Sequence, residues 1–376
     1  MRVLHFSDTH LGYQAFDVVN AQSINAREQD MYDAFERVVE RILELRPDVV
    51  IHAGDFFHRP SPSNRALTFG LEQLRRVCDA KIPIVIIGGN HETPKTIYNS
   101  PILRAFRSLE CVHPFFSDRW EFFENDQLAI HGVPHINDVR LLHTELQRMT
   151  PVPGKFNILL LHTSLGKRYL MEEYGEQIFP PEFEDKLAEF DYIALGHWHN
   201  HQQINVHPNA WYAGSTERLS DTEIGAEKGF MLLDINNKAD YKPSFETIYT
   251  RPWLKLEVLD CQHKTLDEIT TELTNFRDQS ATQNAIISLH LHDIKVEQSL
   301  ELSNARLKEL FPDAFQIVAK RRTHSDRSFV RAMEVNQFDS LDKIFADYLR
   351  SKYADAEPLA EQLVARAGAY FERFRD

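Results

Sequence analysis

Val3-Leu4-His5-Phe6-Ser7-Asp8-Thr9-His10 is a short apolar run that ends in a carboxylate and an imidazole. A run of that length reads as a β-strand that delivers polar side chains from its carboxyl end. The same pattern recurs four more times. Val49–Ala53 leads into Gly54-Asp55-Phe56-Phe57-His58, and Ile84–Ile87 leads into Gly89-Asn90-His91-Glu92. Ile158–Leu161 leads into His162, and Tyr192–Leu195 into Gly196-His197-Trp198-His199. A lone Asp-x-His is a weak signal, and a lone His after a strand is more often an ordinary structural residue. Five such clusters in one order carry far more weight. An open α/β sheet presents its ligands at the carboxyl ends of its strands, so the five clusters are expected to converge on one site.

Residues 1–250 alternate strand-like and helix-like segments, the pattern of a layered α/β fold. Ala26–Leu45 is the clearest helix: Met31, Phe35, Val38, Val39, Ile42 and Leu43 form one apolar face at helical spacing. Pro47 and Asp48 then mark the turn into the strand before Asp55. Leu128–Gly132 and Phe230–Ile235 carry no chemistry and fit a second sheet packed on the first, giving a four-layer αββα sandwich. A boundary is expected near Arg251-Pro252. Residues 251–320 read as a small β-α-β-α-β unit: Leu254–Leu259, Thr265–Phe276, Ile286–His292, Ser303–Leu310 and Phe315–Ala319. Residues 321–336 read as a basic linker, since Lys320–Arg327 and Arg331 are rich in positive charge. It is either a solvated connection or a contact for DNA phosphates, the acidic surface of the main domain or a partner. Residues 337–376 carry two helix patterns. Phe338, Leu341, Ile344, Phe345, Tyr348 and Leu349 line the first. Leu359, Leu363, Ala367, Tyr370, Phe371 and Phe374 line the second, with Pro358 placed to begin it.

At 376 residues the chain is long enough for one large domain and smaller ones. Its 43% hydrophobic and 26% charged content argues against global disorder. No stretch approaches the roughly 18 apolar residues of a membrane span. Met1 runs straight into the first strand, so no signal or transit peptide is expected. Three widely spaced cysteines, Cys78, Cys111 and Cys261, suggest neither a disulfide framework nor a zinc cluster, and the expected location is cytoplasmic. A formal charge of −14 runs against DNA binding unless metal ions and local basic clusters offset it.

Phosphodiester cleavage needs a nucleophile at neutral pH and positive charge near the developing phosphorane. Two metal ions about 3.5–4 Å apart provide both. Such a pair needs a bridging carboxylate, and Asp55 is the candidate. Carboxylate, amide oxygen and imidazole without thiolate suit Mn²⁺ better than a structural zinc site, and Mg²⁺, Fe²⁺ or Zn²⁺ share the same donors. Asp8 and His10, like His197 and His199, are two residues apart and project the same way if the local backbone is extended. His5, His52, His131, His135, His201, His207, His290, His292 and His324 lack motif support and read as packed or surface side chains.

The five clusters resemble the calcineurin-type metallophosphoesterase motif set. Within it the chain resembles the Mre11 / SbcD nuclease family, closest to bacterial and archaeal members. Narrower features carry that choice: the opening Leu4–Gly12, the aromatic Gly54–His58, Leu195–His199, Gly214–Arg218 and Lys228-Gly229-Phe230. Glu92 stands where the family more often has Asp, and either acid could orient the neighbouring His91. The resemblance implies that Asp8, His10, Asp55 and His199 hold one metal ion and that Asp55, Asn90, His162 and His197 hold a second. It implies His91 as general acid or charge stabiliser at the leaving oxygen and His58 as a phosphate contact. It also implies a capping role for residues 251–320, and a homodimer through Ser63–Val77 and Ile97–Leu109. Leu67, Phe69, Leu71, Leu74, Ile102, Leu103 and Phe106 would supply its apolar contact. Residues 337–376 would dock on a Rad50 / SbcC-type ATPase. The implied activity is 3′-to-5′ exonuclease on duplex DNA, with endonuclease on single strands and hairpins, in double-strand break repair. The alternative enzyme is a small-substrate phosphodiesterase or phosphatase on the same two-metal site, and the non-enzymatic alternative is an end-tethering subunit with a vestigial site.

Overall fold

The computed structural model describes residues 1–94, 100–171, 176–323, 341–353 and 357–372. The chain divides into two compact units, Met1–Trp253 and Leu254–Asp376.

In the first unit, strands β1 (Arg2–Phe6), β2 (Val49–His52), β3 (Ile84–Ile87) and β4 (Val112–Phe115) pair in parallel. A second sheet contains β5 (Glu121–Glu124), β6 (Leu128–Val133), β7 (Phe156–His162), β8 (Tyr192–Gly196), β9 (Gln202–Ile204) and β10 (His207–Tyr212), in the order β5-β6-β7-β8-β10-β9. The first sheet is completed by β11 (Gly229–Asn237) and β12 (Asp240–Thr247), giving β12-β11-β1-β2-β3-β4. Phe230–Ile235 therefore belongs to the first sheet, not the second. β11 runs antiparallel beside β1, with Leu4 opposite Leu232. A strand without ligands at its end has no marker of which sheet it joins.

Period-two alternation builds the layers. Leu4 and Phe6 of β1 face helices α1 (Ala26–Leu45) and α2 (Asn64–Asp79), while Val3 packs with Ile158, Leu160 and Tyr192 of the other sheet. The outer face of the second sheet, Leu159, Leu161, Ile193 and Leu195, is covered by Leu142 and Leu146 of α3 (Val139–Arg148). A short helical turn, α4 (Glu184–Leu187), adds Leu187 to this layer. The four αββα layers are present. Among the described residues no helix is long and apolar enough to cross a membrane.

Two sequence expectations change here. Cys78, at the end of α2, and Cys111, just before β4, have Cα atoms 5.4 Å apart and form a disulfide. Their 33-residue separation hid a pairing that only the packing of α2 beside β4 creates. Of the apolar residues assigned to a dimer contact, Leu74, Leu103 and Phe106 are buried within the chain's own core. Leu67, Phe69, Leu71 and Ile102 are partly buried against it. Residues 95–99, including Ile97, lie outside the described residues.

The second unit has a three-stranded sheet in the order β13-β14-β15, from β13 (Trp253–Val258), β14 (Ile286–Ile294) and β15 (Gln316–Thr323). Helices α5 (Leu266–Gln279), α6 (Val296–Glu301) and α7 (Asn304–Leu310) supply Ile269, Leu273 and Leu307 to a core shared with Ile287, Leu289 and Leu291. β15 runs on through Lys320-Arg321-Arg322-Thr323, so the first residues of the expected linker are strand. Parallel pairing of Leu291 with Arg321 and of His292 with Arg322 carries the ladder past the apolar stretch. Arg331 and the rest of 324–340 lie outside the described residues. Two helices follow, α8 (Leu341–Lys352) and α9 (Glu357–Glu372), joined by an Arg350–Glu361 ion pair of 2.7 Å.

Candidate metal centre

The clusters gather where the carboxyl ends of both sheets meet. β1, β2 and β3 deliver Asp8, His10, Asp55, His58, Asn90 and His91, while β7 and β8 deliver His162, His197 and His199. Two sheets share the task that one was expected to perform. Gly196 marks the pinch between them. A Cβ there would lie 2.0 Å from the backbone oxygen of Ala53, so only glycine lets β8 approach β2 this closely.

The local backbone is not extended. Asp8, His10, Asp55 and His197 have φ of 52, 44, 54 and 94°, in the left-handed region that L-residues avoid. Such strain persists only where the surroundings enforce it, and it clusters at functional sites. Here the enforcement is a zipper of main-chain bonds. Asp8 N–H donates to Gly54 O (3.0 Å), His10 N–H to Asp55 O (3.0 Å) and Leu11 N–H to Phe56 O (2.9 Å).

Asp55 lies at the centre. Its Oδ1 accepts from the His91 N–H at 2.9 Å, and its Oδ2 is buried among imidazole nitrogens. Oδ2 lies 3.2 Å from His162 Nε2, 3.8 Å from His10 Nε2 and 4.0 Å from His91 Nε2. On one side, Asp8, His10 and His199 bring ligand atoms within 4.8 Å of one another, with the two Nε2 atoms of His10 and His199 3.2 Å apart. On the other, Asp8, Asp55 and His162 do the same, and Asn90 Oδ1 lies 3.1 Å from His162 Nε2. Two donors each about 2.1 Å from one ion are about 3.2 Å apart at a tetrahedral-to-octahedral angle. The buried Oδ2 facing several imidazoles and these spacings fit a dinuclear cation site bridged by Asp55.

Ring orientation is set from behind. His162 Nδ1 donates to Ala53 O at 2.7 Å, which turns Nε2 inward. His199 Nδ1 meets Glu223 Oε1 at 3.1 Å, which again turns Nε2 inward. Lys228, fully buried, bonds Glu223, Ser215 Oγ (2.9 Å) and His199 O (2.7 Å). Burial opposes the charge on Glu223, but Lys228 and His199 outweigh it and hold its carboxyl well below the usual range. His197 Nε2 meets Glu176 Oε1 at 2.7 Å, while its own N–H reaches Asp8 at 3.1 Å. Such outer partners fix the tautomer and basicity of a ligating histidine. Sequence reading missed Glu176 and Glu223. Lys228 stood in a recognised tripeptide without a role, and Ser220-x-x-Glu223, a capping box, was the one local signal for Glu223.

Glu92 does not orient His91. Its carboxylate accepts from four backbone N–H groups, those of Asp55, Phe56, Phe57 and Gly89. The longer arm reaches under the Asp55 loop and fixes its strained backbone. His91 is held instead by its Nδ1, 2.9 Å from His58 O, and its side chain is 20% exposed. His58 lies beside it, with Nδ1 3.4 Å from His10 Nδ1 and a Tyr13 ring edge-on at 5.0 Å.

Electrostatics agree with the geometry. Burial works against a charged His162, yet Asp55 and Asp8 outweigh it and push the imidazole up to about 10. Burial likewise opposes the Asp55 carboxylate, but the facing His162 and His91 rings hold it well below the usual range. His162 and Asp55 thus form a charged pair at the centre, whereas burial pulls His10 and His197 down and pushes Asp8 up. His5, His52 and His131 lie outside this set. His5 bonds Tyr192 Oη (3.0 Å), His52 bonds Thr9 Oγ1 (3.2 Å) and His131 bonds Asn157 Oδ1 (3.0 Å).

A buried carboxylate bridging two sets of nitrogen and oxygen donors, set at the meeting edges of a double-sheet sandwich, defines a phosphoesterase-type metal centre. The chain belongs to the calcineurin-like phosphoesterase family, whose profile matches residues 1–201. The resemblance to the Mre11 / SbcD group holds as well. The chain is 26% identical over 375 residues to the DNA double-strand break repair protein Mre11 of Methanococcus maripaludis, covering 94% of this chain and 92% of that protein. It is 28% identical to Mre11 of Thermoplasma acidophilum, over 79% of each chain. With Mre11 of Sulfurisphaera tokodaii the identity is 33%, over 62% of this chain and 60% of the relative.

Proposed function

We propose that this chain is the nuclease subunit of an Mre11–Rad50 / SbcCD-type complex, cleaving DNA phosphodiesters in double-strand break processing. The observation that carries the reading is the Asp55 carboxylate, buried between two donor sets in a chain that matches one Mre11 protein over 92% of that protein's length. Asp8, His10, Asp55 and His199 would hold one ion, and Asp55, Asn90, His162 and His197 the other. Mn²⁺ is the expected metal, given oxygen and imidazole donors without thiolate. Bound ions supply an activated water and neutralise charge on the phosphate.

The chain's own residues do the rest. His91 Nδ1–H is spent on His58 O, so the proton available to the leaving 3′-oxygen is on Nε2, the nitrogen turned toward Asp55. Protonated His91 then acts as general acid. His58 is placed to meet a non-bridging phosphate oxygen. Exonuclease action from 3′ to 5′ on duplex ends, endonuclease action on hairpins and single strands, and a homodimer belong to the same proposal. So does docking of residues 337–376 on the ATPase.

A labelled hairpin and a duplex, assayed beside p-nitrophenyl phosphate esters with Mn²⁺ or EDTA, test this reading. Expected are Mn²⁺-dependent DNA cleavage, loss in EDTA, and loss of both activity and metal in Asp8→Ala and Asp55→Ala. Efficient turnover of the small esters with intact DNA would instead make the chain a small-substrate phosphoesterase.

A further inference from the structure

The second unit carries another convergence of ligands, unrelated to the five clusters. On β14, Ile287, Leu289 and Leu291 face the unit's core, so His290 and His292 share the opposite face. On β13, the neighbouring strand, Leu256 and Val258 face the core, which places Glu257 on the same face as the two histidines. One ligand atom from each of Glu257, His290 and His292 lies within 4.8 Å of the other two, with His290 Nδ1 3.9 Å from Glu257 Oε1. The Nε2 of His292 is enclosed and has no hydrogen-bond partner among the described residues, an uncommon state for a buried ring nitrogen.

We propose that Glu257, His290 and His292 form a mononuclear site for a late first-row divalent cation of the Zn²⁺ type. Two imidazoles and one carboxylate, with a coordination position left for water, match a three-ligand zinc site. A nitrogen-rich set of this kind favours Cu²⁺, Zn²⁺ or Ni²⁺ over Mn²⁺, so it selects a different ion from the Asp55 centre. The ion would tie β13 to β14 at the end of the sheet where both histidines are only half-buried.

Three cations oppose it. Lys255 Nζ sits 2.6 Å from Glu257 Oε1, and Lys320 and Arg322 pair in register with His290 and His292. The Lys255–Glu257 pair is the one that must open. Its side chains are 37% and 45% exposed, and surface pairs of this kind hold weakly. The donors, all within 4.8 Å of one another, must also close by up to about 1.4 Å to reach tetrahedral spacing. These costs place the affinity below that of a preformed structural zinc site.

The test uses the full chain carrying Asp8→Ala and Asp55→Ala, which disables the dinuclear centre, titrated calorimetrically with Zn²⁺. One equivalent should bind. His290→Ala with His292→Ala should weaken that equivalent at least a hundredfold, and Glu257→Gln about tenfold. Glu257 is exposed, so its variant keeps the test open if the double histidine variant fails to fold; circular dichroism reports which case holds. Zn²⁺ binding unchanged by Glu257→Gln and by the histidine substitutions would overturn the site. So would inorganic phosphate binding in EDTA that the same substitutions abolish while no Zn²⁺ equivalent is found. That result would make the face an anion contact. Neither outcome touches the nuclease reading, which rests on other residues.

Discussion

At the scale of single residues, the proposed roles separate groups that would hold cations from groups that would act on the substrate. His91 touches Asp55 through its main chain, and its ring Nε2 lies 4.0 Å from Asp55 Oδ2, beyond hydrogen-bonding distance. His91→Gln is therefore expected to keep both metal equivalents by calorimetry while hairpin cleavage falls about 10²–10⁴-fold, the usual worth of a general acid. Near-normal turnover with metals in place would remove His91 from the chemistry. Glu92 behaves in the opposite way. Removing its carboxylate orphans four buried N–H groups beneath the Asp55 loop. Glu92→Ala should cost about 3 kcal/mol or more in urea unfolding, and metal affinity should fall with it. Glu92→Asp keeps the carboxyl group but shortens the reach, and about 1–2 kcal/mol is expected. If Glu92→Ala unfolded at the wild-type midpoint, the loop would be held by something else.

At the scale of elements, the sequence displays what lies at strand ends and conceals how sheets and loops meet. Each cluster follows a run whose apolar character marks a buried strand, so β1, β2, β3, β7 and β8 were legible together with the polar clusters at their ends. The pairing of β11 with β1 was not, because nothing at Phe230–Ile235 distinguishes one inner face from the other. Glu176 and Glu223 were hidden because their partners His197 and His199 are 21 and 24 residues away and only loop closure joins them. The left-handed turns at Asp8, His10 and Asp55 were hidden because the residue types there do not announce positive φ. Gly196 shows the element-level constraint most directly. Gly196→Ala would push a methyl group against the Ala53 carbonyl and force β8 away from β2. About 1–3 kcal/mol of stability should be lost, as in other overpacked interiors. Metal affinity should drop as well, because His162 takes its orientation from Ala53. Unchanged calorimetric binding in that variant would show that the sheets can part without disturbing the ligands.

Between the sheets, His5 on β1 links packing to pH. Burial pulls its imidazole down to about 3. The ring is neutral when folded and has an ordinary pKa of about 6.5 when unfolded. The unfolded chain then binds the extra proton below pH 6.5, so stability is complete above that value and falls as the pH drops toward 3. Going from pH 7 to pH 5 should cost about 2 kcal/mol from this residue alone. His5→Gln should flatten the slope of urea-unfolding free energy by that amount. An unchanged slope would mean that His5 takes up its proton in the folded state.

On the scale of the whole molecule, the charge of −14 and the proposed DNA substrate are reconciled by position rather than by total. Bound cations would offset the acids of the centre, and the basic stretch Lys320–Arg322 continues β15 in the second unit. Assembly poses the sharper question, because α8 and α9 form a pair too small to hold a core of its own. Leu349 and Ala360 are buried in the pair, whereas Phe345 stays 40% exposed on α8, with its ring 6.1 Å from that of Tyr348. An exposed aromatic on an amphipathic helix pair suits docking onto another helical surface, the helix-in-groove mode proposed for the ATPase coiled coil. Phe345→Asp should leave Mn²⁺-dependent cleavage by the isolated chain within twofold of wild type. The same change should weaken co-purification with the Rad50 / SbcC-type ATPase by at least tenfold, since an anchoring aromatic commonly carries 2 kcal/mol or more. Deleting residues 333–376 should abolish the association altogether. Full ATPase binding by the truncated chain would reassign the pair to bracing the chain's own second unit, and cleavage lost together with binding would do the same.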